Sequence, residues 1–171
     1  MRCGGVDRLW APWRIEYIKG AKDEEGCIFC EIRRDRADDK RLVLLRGRHS
    51  YIVMNTYPYN NGHVLVTPYR HVPNITDLSG DELTDMMHLI SYSVRLLRHV
   101  LNPDGFNLGA NLGRVAGAGI VDHVHFHVVP RWKGDTNYMT TVAETRVLPE
   151  DLRSTYSRLL NGVQELGTAY R

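Results

Sequence analysis

The densest chemistry in the chain is a run of three histidines at alternate positions, His123-Val124-His125-Phe126-His127-Val128-Val129-Pro130. Successive strand side chains point to opposite faces, so this spacing predicts three imidazoles on one face and Val124, Phe126 and Val128 on the other. The apolar set suits a core and the imidazoles a groove, with about 6.5–7 Å between successive rings. All three cannot meet at one ion, because the outer backbones stand about 13 Å apart while metal–nitrogen bonds are about 2 Å long. An adjacent pair could share a metal. The other possibility is division of labour. A neutral imidazole nitrogen attacks phosphorus, and a protonated neighbour donates to the departing oxygen. Both tasks suit a side chain that titrates near about 6.5. Three merely solvated or core-satisfied histidines form the bland alternative, which strict alternation opposite a fully apolar face disfavours.

A second cluster is Cys27-Ile28-Phe29-Cys30. A Cys-x-x-Cys pair can hold zinc, work as a redox couple, or be two buried thiols. The redox reading wants a helix N-terminus in a βαβ setting, and the chain shows no βαβ rhythm. The zinc reading needs two further ligands for a closed tetrahedral site.

These side chains need elements to position them. Strands are expected at 41–46, 51–55, 62–67, 106–111 and 121–130, separated by turn-rich or small-residue segments. The strongest helix spans 79–101. Ser79 and Glu82 form a capping box, Leu83, Met86, Met87, Ile90, Val94, Leu97 and Leu101 supply the inward stripe, and Asn102-Pro103-Asp104-Gly105 ends it. A last helix is expected from near Pro149, with Leu152, Tyr156, Leu159 and Val163 inward. Residues 9–18 are aromatic, with Pro12 suited to a first helical turn. This pattern predicts an α+β class, a mainly antiparallel sheet with one long helix and a C-terminal helix. A single domain is expected over 1–171, with a core of about 27–132, an aromatic arm before it and a helical extension after it.

Composition narrows the partners. Across 171 residues, 22 Lys+Arg against 20 Asp+Glu give a net charge of +2, too small a field to predict nucleic-acid binding. No apolar run approaches the roughly 20 residues a membrane span needs. Charges at Arg2, Asp7 and Arg8 with no apolar stretch predict no secretory signal, so a cytoplasmic location with reduced thiols is expected. Cys3 reads as an ordinary free thiol, and His49, His88 and His99 as residues without a role.

His123-Val124-His125-Phe126-His127-Val128-Val129 resembles the signature of the histidine triad (HIT) family of nucleotide hydrolases and transferases. So do Asn55, eight residues before His63, the run Asn61-Gly62-His63-Val64-Leu65-Val66, the segment Asn111-Leu112-Gly113 with Ala116-Gly117, and Pro130-Arg131 after the triad. The resemblance spans roughly 27 to 132 and implies a HIT-like fold. It further implies that His125 attacks an α-phosphate and holds AMP as a phosphoramidate. His127 would bind the phosphate or assist the leaving group, and His63 would face it from the neighbouring strand. Asn55 would bind ribose and Asn111 the phosphate region. Family members commonly carry Gln or Ser shortly before the triad. Here the stretch is Gly117-Ala118-Gly119-Ile120-Val121-Asp122, one residue longer than the commoner loop, and N–H groups around Gly117 and Gly119 could replace that side chain.

Some family members also carry this Cys-x-Phe-Cys element and complete a structural zinc with a later histidine and the first triad histidine. The matching set is Cys27, Cys30, His71 and His123, which would anchor the N-terminal segment without activating water. Within the family, Leu9-Trp10-Ala11-Pro12-Trp13-Arg14, Tyr57-Pro58-Tyr59-Asn60 and Pro130-Arg131-Trp132-Lys133-Gly134-Asp135 with Asn137-Tyr138-Met139 resemble bacterial dinucleoside polyphosphate hydrolases and diadenosine tetraphosphate phosphorylases. Trp10, Trp13 and Trp132 read as packing residues. The resemblance implies cleavage of a dinucleoside polyphosphate, with water or inorganic phosphate as acceptor and magnesium as a candidate companion of the polyphosphate. It also implies a homodimer joined through its sheets. Two alternatives stay open: an adenosine phosphoramidate or aminoacyl-adenylate hydrolase, and a non-catalytic nucleotide-binding or interaction module.

Overall fold

Short apolar runs broken by turns give five strands, and the computed structural model, which describes residues 26–135 and 150–170, joins them in one antiparallel sheet. The aromatic segment 9–18, Cys3, residues 137–139 and Pro149 lie outside the described residues. Helix α1 (Ile28–Arg34) and the short α2 (Asp38–Arg41) precede β1 (Val43–Arg46), β2 (Ser50–Met54) and β3 (Val64–Pro68). The long α3 (Gly80–Leu101), β4 (Gly105–Gly109), β5 (Phe126–Arg131) and α4 (Leu152–Leu166) follow. The sheet order is β1-β2-β3-β5-β4, so β5 lies between β3 and the edge strand β4.

The sheet separates two apolar clusters. On one face α3 and α4 pack with Ile52, Val64, Val66, Val124 and Val128, and on the other α1 packs through Phe29 and Ile32 with Val43, Tyr51, Val53 and Leu65. Val124, Phe126 and Val128 therefore face the large core as alternation predicts. The α3 N-terminus carries the expected capping box, Glu82 N–H donating to Ser79 Oγ and Ser79 N–H to Glu82 Oε2. Asn102 ends the helix in the left-handed conformation that asparagine tolerates. Asp151 caps α4 by accepting from Arg153 N and Ser154 N, and Tyr156, Leu159 and Val163 point inward as expected.

Two expectations are corrected. Leu83 and Met87 of α3 are 39% and 60% exposed, and the buried face instead runs through Glu82, Asp85, Met86, Leu89, Ile90, Tyr92, Ser93, Leu96 and Leu97. Apolarity misplaced that face because its polar members are hydrogen-bonded: Glu82 by Arg70, Asp85 by Ser50 and the His49 N–H, and Ser93 to the Leu89 carbonyl. The triad strand also starts at Phe126 rather than at 121. Its neighbour β3 ends at Pro68, which has no N–H to continue a ladder. The chain before it is held instead by Val124 N–H to the Val72 carbonyl at 2.8 Å and by Thr67 Oγ1 to the Val124 carbonyl at 3.0 Å.

Candidate active site and metal centre

Alternation sends His125 and His127 to the α1 side of the sheet, and antiparallel pairing sets His127 opposite Leu65, beside His63 at the end of the connector just before β3. His63 follows a turn at Gly62, whose φ of +74° is left-handed and whose missing Cβ leaves room for Leu101 and Leu97. His63 Nδ1 accepts the Tyr59 backbone N–H at 3.0 Å and lies 3.2 Å from Asn55 Nδ2. A nitrogen that accepts an N–H bears no proton, so neutral His63 is protonated at Nε2. It donates from there to His127 Nδ1 at 2.9 Å. The proton of neutral His127 is thereby assigned to its Nε2. His125 runs the other way. Its Nδ1 lies 2.9 Å from the His123 carbonyl, which can only accept, so Nδ1 carries the proton and Nε2 keeps its lone pair. Burial lowers the His125 pKa from the ordinary histidine value, which keeps that lone pair available near neutral pH.

The His125 and His127 ring centroids stand 5.1 Å apart, and both rings line a pocket with Asn55, Asn111, Gly117 and Gly119. Phe29, Asn55, Tyr57, Leu65, Gly119 and Ile120 also line an adjoining groove of about 720 Å³, within the size range of small-molecule sites. Ile28, Ile32, Val53 and Met54 give that groove apolar walls, and Lys40, Arg41 and Arg114 line it together with one carboxylate, Asp122. Asn55 also accepts the Tyr57 N–H through Oδ1, so it shapes the connector as well as the pocket. The loop at 113–119 departs from the expectation of a row of backbone donors. Gly117 N–H and Ala118 N–H are used within the loop, bonding to the Arg114 and Gly113 carbonyls, while Gly119 lines the pocket.

Two aromatic residues pack on the histidines, contacts that the sequence pattern did not assign to them. Phe29 packs at 5.2 Å on His123 and 5.0 Å on His125. Tyr59 stacks on His127 at 5.5 Å and 19° and covers His63 at 4.7 Å. Phe29 lies between the two cysteines, and Tyr59 lies in the Tyr57-Pro58-Tyr59-Asn60 connector.

His123 belongs to a different cluster. Its Nε2 faces the Pro68 carbonyl at 2.9 Å, so that nitrogen holds the proton and Nδ1 turns a lone pair toward Cys27 Sγ at 3.3 Å, Cys30 Sγ at 3.7 Å and His71 Nδ1 at 3.3 Å. Cys30 Sγ stands 3.4 Å from His71 Nδ1, and all four donor atoms lie within 4.8 Å of one another. A tetrahedral zinc with ordinary bond lengths has nitrogen–nitrogen edges of about 3.3 Å and nitrogen–sulfur edges of about 3.6 Å, so the donor set fits that ion. Burial pushes His123 down to about 4 and raises the Cys27 thiol, the latter against backbone N–H groups of Cys30 and Phe29 that favour the thiolate. Cys27 caps α1 and Cys30 lies in its first turn, so the pair does open a helix, though one outside any βαβ unit. The triad is thus divided: its first ring joins the sulfurs, while the other two join His63.

The HIT domain family model matches residues 36–134. The chain is 40% identical over 158 residues to a Mycobacterium tuberculosis protein named AP-4-A phosphorylase, covering 88% of this chain and 80% of that one. It is 30% identical over 136 residues to a Schizosaccharomyces pombe adenosine 5'-monophosphoramidase, covering 75% of this chain and 97% of the relative. Among solved structures, a Zn-bound histidine triad family protein from Mycobacterium smegmatis superposes with a TM-score of 0.67 at 27% identity, covering 86% of this chain and 97% of that one. With the domain matched across the whole histidine site and a relative this similar along most of its length, the chain belongs to the HIT domain family.

Proposed function

We propose that the protein is a nucleotidyl hydrolase/transferase that cleaves dinucleoside polyphosphates of the diadenosine tetraphosphate type through a covalent nucleotide on His125. The observation that carries this reading is the opposed proton placement, an Nε2 lone pair on His125 beside an Nε2–H on His127. His125 Nε2 gives its pair to the α-phosphorus and a P–N bond forms. The bridging P–O bond breaks, its electron pair leaves on the departing nucleotide, and the His127 Nε2 proton goes to that oxygen from the state in which the His63–His127 pair carries one proton more than neutral, so that the pair returns to neutral. An acceptor oxygen then attacks the same phosphorus and the P–N bond breaks, returning the pair to His125 and the acceptor's proton to His127. Asn111 and the Gly119 N–H face the phosphate charge, and Asn55 faces the ribose. The apolar groove takes the base.

The Cys27, Cys30, His71 and His123 set suits a structural zinc, a reading supported by its spacing and by the Zn-bound relative. With four protein ligands such an ion holds structure and supplies no activated water. The thiolate ligands fit a reducing cytoplasm. Pairing of two copies through the sheet is part of the same reading, because among the described residues β4 is an edge strand that presents Leu108 at 53% exposure. Residues 27–132 and α4 act as one unit, since α4 packs into the same core as α3.

Diadenosine tetraphosphate and radiolabelled inorganic phosphate test the reading. An acid-labile AMP adduct on His125 is expected, with label in ADP if phosphate is the acceptor and unlabelled AMP if water is. No adduct, together with faster turnover of an adenosine phosphoramidate, would transfer the function to the activity named for the fission-yeast relative.

A further inference from the structure

We infer that Asn60 and Asp135 are positioning residues for the His63–His127 proton relay, a role that rests on the reading just given. They belong to two segments far apart in sequence, the Tyr57-Pro58-Tyr59-Asn60 connector before β3 and the Arg131-Trp132-Lys133-Gly134-Asp135 stretch at the end of β5. The fold brings them into contact. Asp135 Oδ2 accepts from Asn60 Nδ2 at 2.8 Å, from Arg131 Nε at 2.6 Å and from Trp132 N at 3.3 Å, while Oδ1 accepts from Arg131 Nη2 at 2.9 Å. Asn60 Nδ2 also donates to the Pro130 carbonyl at 3.0 Å, and Arg131 Nη1 reaches Asn107 Oδ1 of β4 at 2.7 Å.

This clamp is buried, Asn60 being 5% exposed and the Asp135 side chain 9%. Buried amide and carboxylate groups are costly to leave unmet, so these bonds hold the connector against the end of β5 in one arrangement. That arrangement governs the relay. The Asn60 carbonyl accepts the His63 N–H at 3.1 Å, closing the turn. The preceding residue, Tyr59, supplies the N–H that takes His63 Nδ1 and the ring that covers both relay histidines. His63 arrives on the connector and His127 on β5, so Asn60 fastens together the two chain segments whose imidazoles must stay 2.9 Å apart. The tautomer of His63, and through it the proton on His127, depends on where the clamp holds the Tyr59 amide.

The test uses N60A, which leaves the Arg131–Asp135 ion pair intact, with D135N and the conservative D135E beside it. Nitrogen NMR of 15N-histidine-labelled protein reads the His63 tautomer directly. Wild type is expected to show Nε2 protonated and Nδ1 bare. N60A and D135N are expected to show a mixed tautomer and a kcat about tenfold lower, with KM for diadenosine tetraphosphate within about twofold, the size of loss that small misplacements of reacting groups produce. D135E should recover most of kcat. A pure His63 tautomer in both variants would overturn the inference, and so would a loss confined to KM. Should N60A fail to fold, N60S carries the same measurements. The tautomer signal exists without turnover, so a wild type that forms no nucleotide adduct would refute the proposed activity while the clamp was still being decided.

Discussion

Each of the four central histidines has one ring nitrogen committed to a fixed partner, and that commitment decides what its other nitrogen can do. Backbone groups set three of them directly: Tyr59 N–H at His63, the His123 carbonyl at His125 and the Pro68 carbonyl at His123. His127 takes its state from His63. Two predictions belong here. His125→Ala removes the only lone pair aimed at phosphorus in this scheme, so mass spectrometry of quenched reactions should find no nucleotide adduct and turnover should fall to background. His127→Gln should slow cleavage of diadenosine tetraphosphate by about 10²–10⁴-fold, the usual contribution of a general acid. The same variant should lose far less against AMP p-nitrophenyl ester, whose leaving group needs no proton. An equal loss on both substrates would show that His127 does not act as the acid.

Among the elements, α3 and α4 are held close because Gly162 has no side chain. A Cβ there would collide with Val100 and press on Leu96 at 3.0 Å. Gly162→Val should therefore destabilise the fold by about 1–3 kcal/mol through overpacking, read as a lower midpoint in urea. The start of α3 carries a pH signature. A hydrogen bond from Arg70, with help from Ser79, holds the Glu82 carboxyl at about 2 in the fold against an ordinary 4.5. A depressed folded value stabilises above the ordinary one and loses that effect as pH falls through the folded one. Glu82→Gln should therefore melt below wild type at pH 7, with the gap closing between about pH 4.5 and about 2. A gap that stays constant over that range would mean the ion pair adds nothing. The capping box was readable from Ser79 and Glu82 alone because it is local, whereas Arg70 as the partner was not, since it lies outside the helix.

At the scale of the molecule, the sheet sits between a helical core and a smaller cluster under α1, and the Cys/His set is the link between α1 and the lead-in to β5. Tyr51 Oη donates to the Phe29 carbonyl, and Phe29 in turn packs on His123 and His125, so the position of α1 reaches the His125 ring. A tightly bound ion that meets only the folded state adds about 4 kcal/mol at a thousandfold excess over its Kd. Chelation should then lower the melting temperature by about 10 °C, and Cys30→Ser should reproduce that loss together with slower adduct formation. Melting unchanged by the chelator would remove the zinc assignment.

Local periodicity by itself determined which triad residues face the core, where α3 is capped, where α4 turns inward and that a dithiol waits for further ligands, because each of these depends on neighbours within a turn or two of chain. Tertiary structure alone decided that Leu83 and Met87 face outward, that two loop N–H groups are used before a phosphate could reach them, and that Asn60 meets Asp135. The reason is physical. Side-chain direction follows from backbone geometry, whereas the proton on a particular imidazole nitrogen follows from its hydrogen-bond partner. Two of the deciding partners here, His63 for His127 and the Pro68 carbonyl for His123, come from distant parts of the chain and reach 2.9 Å only when the sheet closes.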